Sequence, residues 1–226
     1  MAVGSKSFPQ DAAASLATVS GAKLSGWAEV LLVFGLLEAV LWTPRSLFHS
    51  FLIASLVVSV TWFALRGHSR QELGLVWPSG RGAAWMLAVG CAAAAAIPVA
   101  ALLLGQPLPA NPDWPKFQNL WPYVIWAFAQ QFLLLSFFYV RTESLVGTRS
   151  AIWASTILFT LAHLPNVTLT AMTLVGALFF TAMFRRYRSI YPLGIVHALL
   201  GIAIAYSFPN SLMHHMRVGL SFWQLR

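Results

Sequence analysis

A chain of 226 residues with 58% hydrophobic and only 9% charged residues cannot cover a water-soluble core with a polar surface, since soluble domains carry about 25% charged residues. The formal charge of +8 does not point to nucleic acid, because no basic block interleaves with aromatics on a polar face. A single cysteine, Cys91 in an apolar run, excludes a disulfide framework.

Along the chain, residues 1–25 are rich in Ala and Ser and carry Lys6 and Lys23. They lack a compact apolar stretch followed by a cleavage site, and read as a flexible tail rather than a signal peptide. Apolar segments follow at 26–43, 50–66, 83–104, 119–140, 150–166, 168–184 and 190–208. Their lengths approach the roughly 20 residues that cross about 30 Å of hydrocarbon. Trp27, Trp42, Trp85, Trp121 and Trp126 lie at or near segment ends, as an interfacial belt requires. The link 67–82, GHSRQELGLVWPSGRG, is polar and bears Gly and Pro. The stretch 105–118, GQPLPANPDWPKFQ, holds four prolines and is a loop. Asn166-Val-Thr168 matches a glycosylation pattern too common by chance to weigh. The closing segment, 209–226, is polar; its paired His214 and His215 read as solvated, against weak metal binding or capping of a cavity. The expected fold is all-α: one polytopic transmembrane helix bundle of about seven spans over 26–208.

Charge orients that bundle. Alternate connections hold Lys6, Lys23, Arg66, Arg70, Arg81, Arg141, Arg149, Arg185, Arg186 and Arg188; the other side has Arg45, Lys116, Arg217 and Arg226. Basic residues at segment ends snorkel and set topology, so the richer side is cytoplasmic. The expectation is an integral protein of a bacterial inner membrane, surrounded by its lipids, with the N-terminus cytoplasmic and the C-terminus external. A re-entrant fifth or sixth segment would change this count.

Polar groups in hydrocarbon are costly and therefore functional candidates. Glu29 and Glu38 lie in the first segment, Gln130 and Gln131 in the fourth, His163 in the fifth and His197 in the seventh. Glu29 is near the cytoplasmic end and can reach water. Glu38 is deeper and could enter a midplane site, or stay neutral or paired with an arginine. His163 follows Phe159 by four residues, so both share a helix face. Pro165 and Asn166 come next, so the helix should break just past the histidine. A lone histidine here is readily a packed side chain satisfied by a carbonyl; two on separate segments suggest a shared polar site. The adjacent glutamines read either as interhelical glue or as the lining of a cavity.

The order of these pieces resembles the CPBP family of membrane proteins, the group that includes the type II CAAX prenyl endopeptidases and bacterial Abi-type proteins. Phe159-Thr-Leu-Ala-His163, followed by Leu-Pro-Asn, resembles its second motif. Pro192-Leu-Gly-Ile-Val-His197-Ala resembles the third, and Gln71-Glu-Leu-Gly-Leu75 resembles the lead-in to its core. The likeness spans roughly 70–207. It implies an intramembrane endopeptidase acting near the end of a membrane-anchored substrate, in which a glutamate and a histidine activate water, with or without a metal. On that reading His163 and His197 are the catalytic candidates, and Gln130, Gln131, Phe159, Asn166 and Gly201 line the pocket.

Three positions depart from the family pattern. Gln130 and Gln131 stand where it has paired glutamates, Leu135 where it has arginine, and Gly201 where it has asparagine or a similar polar residue. A neutral amide cannot act as a general base near neutral pH, though it can hydrogen-bond water or polarise a carbonyl. The amides also remove the negative charge a divalent metal favours, although a metal at His163 and His197 remains an option. Without the glutamates, an arginine at 135 would be an unpaired buried cation, so the losses look concerted. The readings are a diverged pseudoenzyme that binds a peptide tail, lipid or partner subunit; a hydrolase with its base re-sited to His163, His197 or Glu38; and an engineered inactive form, which leaves Leu135 and Gly201 unexplained. From another class, the two histidines could ligate a pigment or haem in a membrane complex.

Overall fold

The computed structural model describes residues 10–78, 80–110 and 117–224. Every regular element among them is helical. α1 (Gln10–Trp42), α2 (Leu47–Leu65), α3 (Gly80–Leu103) and α4 (Phe117–Gln131) come first. A π-helical stretch, Phe132–Tyr139, and α5 (Val140–Val146) continue α4 directly. α6 (Thr148–Leu161), α7 (Val167–Tyr187) and α8 (Tyr191–Ser207) complete the bundle, with short α9 (Asn210–Met213) and α10 (Leu220–Trp223) beyond it. α1 starts at Gln10, inside the stretch read as a tail; residues 1–9 of that tail, 111–116 of the proline-rich loop and 225–226, with Lys6, Lys116 and Arg226, lie outside the described residues.

Five stretches are long and apolar enough to cross a membrane: Lys23–Trp42, Leu47–Leu65, Gly80–Leu103, Leu120–Val146 and Val167–Tyr187. The chain is a polytopic helical bundle. The remaining two expected segments are shorter, α6 with 14 residues and α8 with 17. At 1.5 Å per residue they reach only about 21 and 26 Å. Protein encloses much of α8, so its length need not match the lipid. A Cβ at Gly90 of α3 would lie 2.2 Å from Val196, and one at Gly194 would lie 2.5 Å from Phe128 of α4. These glycines let α3 and α4 close on α8 from two sides. By contrast α2 leaves Val58 and Trp62 exposed, a surface suited to lipid.

The connections sort onto two faces. On one, Ile190 N–H donates to the Gly74 carbonyl at 3.0 Å, and Arg188 reaches Glu143 at 2.6 Å. Ser69 and Glu72 cap one another there, the Ser69 N–H and then its hydroxyl holding the Glu72 carboxyl below the usual range. On the other face, Gly219 N–H donates to the Leu164 carbonyl at 2.8 Å and Ala110 N–H to the Tyr206 carbonyl at 2.9 Å. Arg66, Arg141 and Arg188 lie on the first of these faces and Arg217 on the second.

Glu29 departs from the sequence expectation. It does not reach water: it is buried, with Arg66 at 2.7 Å and Arg141 at 3.0 Å. Arg141 also donates to the Phe63 carbonyl. The start of the first span, the end of the second and the end of the fourth meet on one face, so charges that read separately as flanking residues converge on one carboxylate.

Candidate functional site

A cavity of about 1140 Å³ is walled by α3, α4, Phe159 of α6 and the turn after it, α7, α8 and the C-terminal segment. Most of its wall is apolar, with Ile97, Met172, Phe179 and Phe180 among the contributors. Tyr123, Gln130, His163 and His197 bring polar groups to it. Lining residues Trp126 of α4 and Val175 of α7 are also exposed. The cavity therefore has exposed wall residues within two of the apolar spans.

α6 ends at Leu161, and His163 sits in the turn beyond it, which Leu164, Pro165 and Asn166 complete. His163 Nδ1 lies 2.8 Å from the Phe159 carbonyl oxygen, and the two rings are 5.0 Å apart. A carbonyl only accepts, so Nδ1 carries the proton and Nε2 a lone pair. His197, on α8, stacks on Phe180 with ring centroids 5.4 Å apart. Its Nδ1 lies 2.8 Å from Gln131 Nε2.

The two glutamines have different positions. Gln130 lines the cavity. Gln131 is fully buried behind His197 and does not line it; its Oε1 is buried without a partner. The π-helical stretch begins at the next residue. Such widened turns recur at functional sites, and this one turns Leu134 to Tyr139 all into the core. Leu135 is fully buried among them.

Gly201 lines the cavity beside Tyr123. A Cβ at Gly201 would lie 1.6 Å from the Tyr123 hydroxyl oxygen. The space that a polar side chain at 201 would need is taken by a phenol from α4. Tyr123 was missed in the sequence, although it precedes Gln130 by seven residues, two helical turns on the same face.

Asn166 and Glu38 do not line the cavity either. Asn166 caps α7, its Oδ1 accepting from Leu169 N–H at 3.1 Å. Its Nδ2 donates to the Met213 carbonyl at 2.9 Å and the Arg217 carbonyl at 3.2 Å. It thus ties down the C-terminal segment, in which exposed His215 lines the cavity and His214 contacts the Phe222 ring. His214, His215 and Met216 all have left-handed backbones, with φ of 47, 53 and 55°, conformations that cost energy and need outside support. Asn166→Ala should release this strap. Trypsin cleavage after Arg217 is expected to become about tenfold faster, the equivalent of about 1.4 kcal/mol. An unchanged rate would remove Asn166 as its tether. Glu38 accepts from Trp42 Nε1 at 3.0 Å, on its own helix.

These residues do not fit a divalent metal. The imidazoles of His163 and His197 and the Gln130 amide line the cavity, with exposed His215 on the strap, and one imidazole nitrogen is engaged by Gln131. Catalytic zinc sites commonly use three protein ligands, and no group of three His, Cys, Asp or Glu that could hold a metal occurs among the described residues.

Residues 112–203 match the Rce1-like family model, type II CAAX prenyl endopeptidase. The resemblance seen in the motifs is shown over this stretch, and the chain is similar to CPBP-type intramembrane proteases. The Rce1-like stretch is shorter than the 70–207 read from the sequence. It takes in Gln130, Gln131, Leu135, Phe159, His163, His197 and Gly201, all the positions that carry or depart from the motifs. The lead-in at 71–75, α1 to α3 and the strap fall outside it. No curated protein and no solved structure matches the chain. The family similarity and the five apolar spans together make this an integral membrane protein.

Proposed function

We propose that the chain is a pseudoenzyme that holds the end of a membrane-anchored protein in its cavity without cleaving it. The observation that carries this reading is the state of the former carboxylate seat: Gln131 is locked onto His197, and no carboxylate lines the cavity among the described residues. Water activation would have to fall to a histidine. Protonating either imidazole would place a cation on a largely apolar wall with no carboxylate beside it, at a cost that disfavours the step. On this reading the basic face is cytoplasmic, the strap lies on the opposite side, and the anchored chain enters laterally past Trp126 and Val175.

A photoactivatable crosslinker placed at Met172 tests this in membranes. Crosslinks to a membrane-anchored protein are expected, and Ala93→Trp, which fills the cavity from α3, should abolish them. Crosslinks that persist in Ala93→Trp would overturn the reading. A coloured purified protein would also overturn it, in favour of a pigment- or haem-binding subunit.

A further inference from the structure

We infer that Gln131 fixes the tautomer of His197, and that the two histidines thereby form a neutral donor–acceptor clamp for a carboxamide carried on an apolar chain. The inference rests on the binding reading above and names the chemistry of what is bound.

The hydrogen bonds set the protons. Gln131 Nε2 lies 2.8 Å from His197 Nδ1. An amide nitrogen only donates, so Nδ1 accepts and the imidazole proton sits on Nε2. Turning the amide round would replace a buried orphan carbonyl oxygen, Oε1, with a buried orphan –NH2. Buried N–H groups without acceptors are the rarer defect. His163 is held the other way, its Nδ1–H donating to the Phe159 carbonyl. Both histidines line the same cavity. Neither Nε2 has a hydrogen bond to the described residues. The cavity is therefore offered one N–H, from His197, and one lone pair, from His163.

A carboxylate at 131 would impose the opposite pattern. It can only accept, so His197 Nδ1 would hold the proton and both Nε2 atoms would be lone pairs. That pair suits a base or a metal. The change to glutamine thus does more than delete a carboxylate: it inverts the polarity of the neighbouring histidine.

The clamp selects by hydrogen-bonding capacity. A carboxamide offers a carbonyl to His197 and an N–H to His163. An ester offers only acceptors and leaves the His163 lone pair unmet. A carboxylate would bring an unpaired charge against an apolar wall. The surrounding cavity takes the hydrocarbon.

The full-length protein in lipid nanodiscs, with 15N-labelled histidine, provides the test. NMR is expected to show opposite neutral tautomers, Nε2–H at His197 and Nδ1–H at His163, with His197 switching in Gln131→Glu. Oleamide should bind at least tenfold more tightly than methyl oleate, about the effect of one hydrogen bond, and His163→Ala should erase the difference. Nδ1–H at both histidines of the unmodified protein would overturn the inference, as would equal binding of the two lipids. Should Gln131→Glu fail to insert, the unmodified tautomers and the His163→Ala comparison still decide. The tautomers do not depend on whether an occupant is cut, so a demonstrated cleavage with opposed tautomers would sink the binding reading and leave the clamp standing.

Discussion

Replacing Glu29 by Ala is expected to destabilise the bundle more than removing any other carboxylate, by about 3–5 kcal/mol. Glu29 is buried and neutralises two guanidiniums from different helices, Arg66 and Arg141. Arg66 is half exposed and can turn to water, so its loss contributes little. Arg141 cannot: its side chain is 14% exposed and lies between α1 and α2. Without Glu29 it is an uncompensated cation with only the Phe63 carbonyl for company. The expected drop in Tm is about 6–20 °C, taking roughly 2–4 °C per kcal/mol for a chain of this size. Glu38→Ala, which breaks only a contact within α1, should move Tm much less. Equal effects of the two substitutions would show that the cluster is not what joins these helices.

Gly201→Asn, which would restore the family's polar side chain, should instead damage the site. Its Cβ would lie 1.6 Å from the Tyr123 hydroxyl oxygen and 2.6 Å from the ring carbon that bears it. Removing the hydroxyl alone does not make room, so Tyr123→Phe should not rescue. Overpacking of this kind costs about 1–3 kcal/mol or more. Tyr123→Ala alone leaves a void at about 3–5 kcal/mol. The double variant should be more stable than the sum of the two losses by over ~1 kcal/mol, since each change relieves the other. Additive losses in a thermal double-mutant cycle would show that Tyr123 does not occupy the place of the missing side chain.

The helices were legible because lipid imposes a coarse rule: every span must be apolar for nearly its whole length, and prolines at 107 and 109 can only be loop. What stayed hidden depends on contacts between distant segments. Glu29 looked solvated because Arg66 and Arg141 are 37 and 112 positions away along the chain. The π-helical stretch left no mark in the hydrophobic pattern, since almost every residue from 132 to 139 is apolar and any register would bury some of them. Within it Leu134 to Tyr139 are all buried, shortly after the glutamines. The motif residues were found by type and order, but not by role. Asn166 is a helix cap that holds the strap, and Gln131 stands behind a histidine rather than in the cavity. Tyr123 had no motif to announce it; only the absence of a side chain at Gly201 makes its place meaningful.

The termini of membrane proteins, compared by mass spectrometry, test directly whether this protein binds without cutting. The comparison needs cells carrying the chain, cells lacking it, and cells carrying His163→Ala/His197→Ala. Identical termini in all three, with the protein well inserted, is the result expected of a cavity whose carboxylate seat holds amides. A terminus that appears only with the intact chain and disappears with its histidines would contradict it, and would establish a working protease with its base at His163 or His197.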